Sequence, residues 1–337
     1  MEKPYPPVEY AQYLGLAQLL SSQHPKSEEY GRPAHDELLF IVIHQVYELW
    51  FKQILHELGS VEALFRADSV DERNIGTAVS RLQRVAGIQE LLIDQLGVLE
   101  TMTPLDFLDF RDMLTPASGF QSAQFRAIER TLGVKRDQPS LFDLVEKWLE
   151  RTPFLELPGY QFWASYRAAV DEMLADDRRT IEAHPSFTPE ERALQLAELD
   201  RTRQSFDALL DEPTHERLRQ EGSRRLSHRA TLAALLIHLY RDQPILHLPF
   251  RFLTLLVDVD ERLATWRYRH ALMVHRMIGT KIGTGGSSGH HYLMSTVERS
   301  KVFGDLFNLS TFLIPRSALP ELPEAIARRL GFHFPRE

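Results

Sequence analysis

The chain has 337 residues, of which 43% are hydrophobic, with a formal net charge of −8 and no cysteine. That length and apolar content suffice for a sizeable packed core, and the acidic balance argues against a protein whose affinity comes from neutralising nucleic-acid phosphates. Without cysteine there are no disulfides, thiolate zinc sites, cysteine-ligated iron–sulfur clusters or thioether-linked haem. A bound metal would therefore take nitrogen or oxygen ligands, and the 14 histidines make that possible.

The opening "MEKPYPPVEYAQ" has no apolar signal core, and runs such as "LLFIVI" and "LAALLI" are too short to span a bilayer, which predicts a cytoplasmic protein without a membrane partner. Apolar residues recur at three- and four-residue intervals almost throughout, so the predicted fold class is all-α in a single domain, 1–337. Tyr10, Tyr13 and Leu14 stand at helical spacing before a loop from Ser21 to Pro33, within an N-terminal arm over residues 1–34. "HDELLFIVIHQVYELWFKQILHEL" predicts a long helix from His35 to Leu58, with a polar stripe of Gln45, Glu48, Lys52 and His56 and its other faces buried. In "TPLDFLDFRDML", Thr103 is a candidate N-cap, Pro104 takes the first helical position and Asp106 lies in the first turn. "TPASGFQS" then puts Ser118 and Gly119 at a bend.

From about 135 to 221 the chain is more charged, with "DDRR" and "EERALQLAELDRTR", and reads as a solvated helical insertion; "FTPEERALQLAEL" within it repeats the Thr-Pro helix start. The longest pattern runs from Pro249 to Gly279, a residue suited to end a helix. The glycine-rich "GTGGSSGHHY" (Gly283 to Tyr292) follows. A P-loop needs Lys and then Ser or Thr after its last glycine, whereas Gly289 precedes His290 and His291. A dinucleotide fingerprint needs a preceding strand and a glycine where Ser288 stands. The proline-bearing tail from about 316 reads as loop.

Four places could carry chemistry. Leu263, Trp266, His270, Met273 and Met277 form one helical stripe with a single imidazole among apolar neighbours. His270 is either a core histidine satisfied by a carbonyl or an axial haem ligand, and His275 is a second candidate off the stripe. His44 shares an aromatic face with Phe40, Tyr47 and Phe51, as a pH-sensitive core group or as a ring nitrogen offered to the polar edge of an apolar ligand. His35, Asp36 and Glu37 begin like some two-histidine, one-carboxylate iron sites, or are simply acids in a first helical turn. Arg111, one turn from Phe107, is an exposed or ion-paired group or, if buried, a fork for a ligand carboxylate.

Five stretches, in order between Tyr10 and Arg316, resemble the tryptophan 2,3-dioxygenase family: "YAQYLGLAQLL", "HDELLFIVIHQVYELWFKQILHEL", "VLETMTPLDFLDFRDMLTPASGFQS", "WRYRHALMVHRMIGTKIGTGGSSGHHYL" and "VFGDLFNLSTFLIPR". The resemblance implies an all-helical homotetramer holding haem b, ferrous in the active form. It implies insertion of O2 across the indole C2–C3 bond of L-tryptophan to give N-formylkynurenine, the first step of the kynurenine route. On that resemblance His270 is the proximal iron ligand and His44 faces the indole N–H, with Phe40 and Phe107 along the ring. Arg111 clamps the carboxylate, and Thr284 contacts the amino-acid end from a glycine-rich lid. Ser118 and Gly119 lie near the haem, and Tyr10, Tyr13 and Leu14 reach a neighbouring subunit's site. Leu96 and Phe107 depart from the aromatic and the tyrosine that some members carry. A same-fold enzyme for another indole, and a haem sensor without turnover, are the alternatives.

Overall fold

The computed structural model describes residues 5–67, 69–135, 137–152, 161–281 and 289–331, and among them every regular element is a helix. Helices α1 (Tyr10–Leu14) and α2 (Leu16–Leu20) meet at Gly15, whose φ of 60° is a left-handed conformation that glycine adopts without a Cβ clash. The expected Ser21 to Pro33 loop contains a short helix, α3 (Lys26–Glu29). It is pinned by the first residue of α4 (Glu37–Phe65): the buried Glu37 carboxylate accepts the backbone N–H groups of Lys26 and Ser27, each at 2.8 Å.

Helix α4 continues past the expected end at Leu58, because Leu58, Val61 and Phe65 are all buried on it and that burial outweighs the weak helix preference of Gly59 and Ser60. The expectation that every apolar face of α4 is buried is not met. Leu38, Val42 and Leu49 are 50%, 40% and 50% exposed, so among the described residues that side of the helix is only partly covered. By length and mean hydropathy α4 is also the one described helix long and apolar enough to cross a membrane, a test that core helices of soluble proteins also pass.

The remaining helices are α5 (Glu72–Leu99), α6 (Pro104–Arg111), α7 (Ala123–Leu132), α8 (Leu141–Glu150), α9 (Phe162–Ala183), α10 (Pro189–Leu210), α11 (Glu212–Gln220) and α12 (His228–Leu239). Then come α13 (Pro244–Ile278), α14 (Gly289–Arg299), α15 (Gly304–Asn308) and α16 (Glu324–Arg329). They gather into two compact units. One comprises Met1–His56, Val85–Glu129 and Glu261–Ser300; the other comprises Glu57–Arg84, Arg130–Asp260 and Lys301–Glu337.

The second unit centres on α12, which is buried around most of its circumference and packs on α8. The charged segment has one solvated and one buried face. Ion pairs Arg167–Asp207 (2.8 Å), Arg203–Asp171 (3.2 Å) and Arg178–Asp200 link α9 to α10 in antiparallel register, while Phe162, Tyr166, Val170 and Leu174 turn inward. Tyr166 donates its hydroxyl to the Phe312 carbonyl at 2.5 Å. In the tail, α16 buries Ile326, and the Leu330 carbonyl accepts the Ile245 N–H at 3.1 Å, so this part is more than loop.

Helix α13 begins at Pro244 rather than at Pro249, which lies inside it. Proline there forfeits the hydrogen bond to the carbonyl one turn back, but the buried side chains of Leu246, Phe252 and Leu253 carry the helix through. At its far end Gly279 takes φ 59° and donates its N–H to the His275 carbonyl at 2.8 Å, as the sequence predicts.

Candidate active site

All the described site candidates belong to the first unit. On α13 the predicted stripe turns inward: Leu263, Met273 and Met277 are buried, whereas His275 is exposed. The His270 imidazole stacks on the Trp266 indole, with centroids 5.1 Å apart and planes 6° from parallel. Trp266 in turn donates its indole N–H to the Tyr47 hydroxyl at 3.2 Å, and Tyr47 donates to the Leu92 carbonyl of α5. Burial pushes the Tyr47 phenol up to about 12, so it stays a donor. Burial also pushes His270 down to about 4, with the charges of His44 and Arg267 acting in the same direction. The imidazole is therefore neutral near pH 7, the form that ligates a metal.

On α4, His44 lies one turn beyond Phe40, their rings 4.2 Å apart. Its Nδ1–H donates to the Phe40 carbonyl at 2.7 Å, which leaves Nε2 as the acceptor in the neutral ring. Burial holds its pKa below the ordinary value, against the opposing hydrogen bond to Phe40 and the charge of Glu48. The residue nevertheless remains exposed to solvent. It is close enough to His270 for its charge to act on that ring.

Phe40 also meets Phe107 and Phe110 of α6, each at 5.7 Å between centroids, and those two meet edge to face at 5.4 Å. The start of α6 is fixed as the sequence predicts. Thr103 Oγ1 accepts the Asp106 N–H at 3.3 Å, and Asp106 accepts the Thr103 N–H at 3.0 Å. This cap sets the phase of the helix, and Arg111, half-buried, falls in its last turn, one turn from Phe107. Next comes a 3₁₀ turn, Gly119–Gln121, capped by Ser118, whose Oγ accepts the Phe120 N–H at 3.3 Å. A Cβ placed on Gly119 would meet nothing within 4 Å, so space is open beside it. Phe120 packs edge to face on Tyr292 at 5.5 Å, so the end of the glycine-rich segment rests at this turn. Thr284 and the rest of 282–288 lie outside the described residues. Tyr10, Tyr13 and Leu14 project from α1 with 75%, 78% and 44% of their surface exposed.

The iron site considered at His35 to Glu37 is not formed. His35 is exposed, and both Glu37 oxygens are engaged by backbone amides. No group of three or more histidines and carboxylates converges among the described residues. What the sequence reading missed is the Trp266–Tyr47–Leu92 chain. Its only signal was two aromatic residues with polar tips on apolar faces, each needing a buried partner that could come from anywhere in the chain.

The chain matches the family model for tryptophan 2,3-dioxygenase over residues 5–139 and 136–313. The chain belongs to the tryptophan 2,3-dioxygenase family. It is 56% identical over 357 aligned positions to the tryptophan 2,3-dioxygenase of Bdellovibrio bacteriovorus, an alignment covering 98% of this chain and 99% of the relative. The enzyme of the same name from Alteromonas mediterranea is 48% identical over 99% of both chains. That of Dictyostelium discoideum is 45% identical over 96% of this chain and 88% of its own length. The stretches that carried the resemblance thus sit inside a likeness that runs almost end to end.

Proposed function

We propose that the chain is a haem-dependent dioxygenase that inserts both atoms of O2 across the indole C2–C3 bond of L-tryptophan and yields N-formylkynurenine, opening the kynurenine route. The observation that carries this reading is a pair of imidazoles with lowered pKa values, His270 on α13 and His44 on α4, close enough for their charges to interact, with His44 against Phe40 and Phe40 against Phe107 and Phe110. The relatives' shared name supports the substrate.

The residues present fit haem b. His270 offers a neutral nitrogen from an apolar stripe, the chain has no cysteine to compete, and Ser118 and the exposed Gly119 form a turn of small residues that a flat edge can approach. Ferrous haem, when bound, supplies the activation of O2. The side chains do the rest. His44 Nε2 accepts the indole N–H, which orients the ring, and Phe40 and Phe107 pack against its faces and exclude water. Arg111 holds the carboxylate, and the Thr284 hydroxyl engages the amino-acid end as the glycine-rich segment covers the pocket.

The same reading makes the working protein a cytoplasmic homotetramer of single-domain chains, with tryptophan and O2 as ligands and neither nucleic acid nor membrane as partner. The exposed Leu38, Val42 and Leu49 give it an apolar surface for self-association, and Tyr10, Tyr13 and Leu14 are free to reach a neighbour's pocket. Mixing the ferrous, haem-loaded protein with L-tryptophan in aerated buffer tests the assignment: a near-ultraviolet product band is expected. Indole, which has no carboxylate for Arg111, should give little. No product from L-tryptophan, or equal turnover of indole, would overturn it.

A further inference from the structure

The first unit holds a small, partly open cavity behind Trp266, walled by Phe51 and Ile54 of α4, Leu92 of α5, and Phe125 and Ile128 of α7. Its volume of about 20 Å³ is enough for one small molecule, since a single water needs about 10–15 Å³. A water would also need two to four polar partners, and the wall offers the side chain of Gln89 as its polar group. An apolar diatomic needs none and gains dispersion contacts from the apolar walls. Trp266 forms one wall and, on the same ring, stacks on His270, so a single side chain separates this space from the imidazole.

The geometry points to a docking site for a small apolar gas, dioxygen in the working protein, set one side chain from His270. This rests on the reading of the chain as an O2-consuming enzyme, but the site itself is defined by size and chemistry alone. Dioxygen partitions into apolar surroundings in preference to water, so such a cavity holds the co-substrate at higher local concentration than the solvent does.

The test is xenon under pressure on crystals of the haem-loaded protein, which reports the cavity whether or not the protein turns over. Xenon density is expected between Ile54, Ile128 and Trp266. Ile128→Ala should raise its occupancy, and Ile128→Phe, which fills the space, should abolish it. In solution, Ile128→Phe should raise the KM for O2 several-fold while leaving the Kd for L-tryptophan unchanged. Absence of xenon in the parent, an ordered water in its place, or an unaltered KM for O2 in a folded Ile128→Phe would each overturn the proposal. Should that variant fail to fold, xenon occupancy in Ile128→Ala no higher than in the parent would do so. Xenon bound in a parent that never converts L-tryptophan would remove the dioxygenase reading and leave the gas site standing.

Discussion

The indole of Trp266 and the imidazole of His270 lie parallel, one helical turn apart on α13. Helix geometry brings the two side chains together, and the hydrogen bond from the indole N–H to Tyr47 fixes the rotation of the stack. Tyr47→Phe leaves that N–H without its acceptor, which should cost about 1–3 kcal/mol of stability, read as a lower urea midpoint. The loaded variant should also show a shifted iron–histidine vibration at unchanged affinity for L-tryptophan. An unshifted vibration would mean that Tyr47 does not orient His270.

His270→Ala should lose most of its haem, whereas His275→Ala should keep it, because His275 is exposed and off the buried stripe. Soret absorbance of the purified variants decides between them. A normal band and unaltered spin state in His270→Ala would assign the iron to another residue.

Arg111→Ala should weaken L-tryptophan binding about tenfold or more, a cost of about 1.4 kcal/mol, at the low end for a charge pair because the side chain is half-buried. Arg111→Lys should recover only part, since an ammonium keeps the charge and loses the two-pronged geometry. Tryptamine, which has no carboxylate, should bind parent and Arg111→Ala alike. The Soret shift on titration measures all three.

Away from the site, stability should fall with acid through His215. Its Nε2 donates to the Leu226 carbonyl in a buried position, and burial lowers its pKa against that hydrogen bond and the charge of Glu216, aided by the charges of His228 and Arg224. The unfolded chain therefore binds a proton first. The stabilisation is full above the ordinary histidine value of 6.5 and is lost as pH falls from there through the lowered folded value. His215→Leu should show a smaller drop in urea midpoint between pH 7.5 and pH 5.5 than the parent. An equal drop would place the acid sensitivity elsewhere, for instance at His238, whose pKa burial also lowers.

Local signals were legible in the sequence and long-range ones were not. Thr103 and Thr188 cap their helices because the hydroxyl and the acid three residues on are close in the chain, and Gly279 ends α13 because glycine tolerates the left-handed turn. The inward face of His270 followed from spacing alone. The continuation of α4 to Phe65 and of α13 back to Pro244 did not, since side chains buried on those stretches overrule Gly59 and Pro249. Nor could spacing show that Glu37 closes onto Ser27 or that Tyr47 joins Trp266 to Leu92, because those partners are set by the fold. The roles proposed for His44 and Arg111 rest on the family resemblance; the structure adds the His44 Nε2 left as acceptor and the aromatic rings beside it.

The most direct test of the whole account is turnover of L-tryptophan by the haem-loaded protein under isotopically labelled O2, followed by mass spectrometry of the product. Insertion across the C2–C3 bond predicts that both atoms of one O2 molecule appear in N-formylkynurenine. A product carrying one labelled atom or none would contradict it.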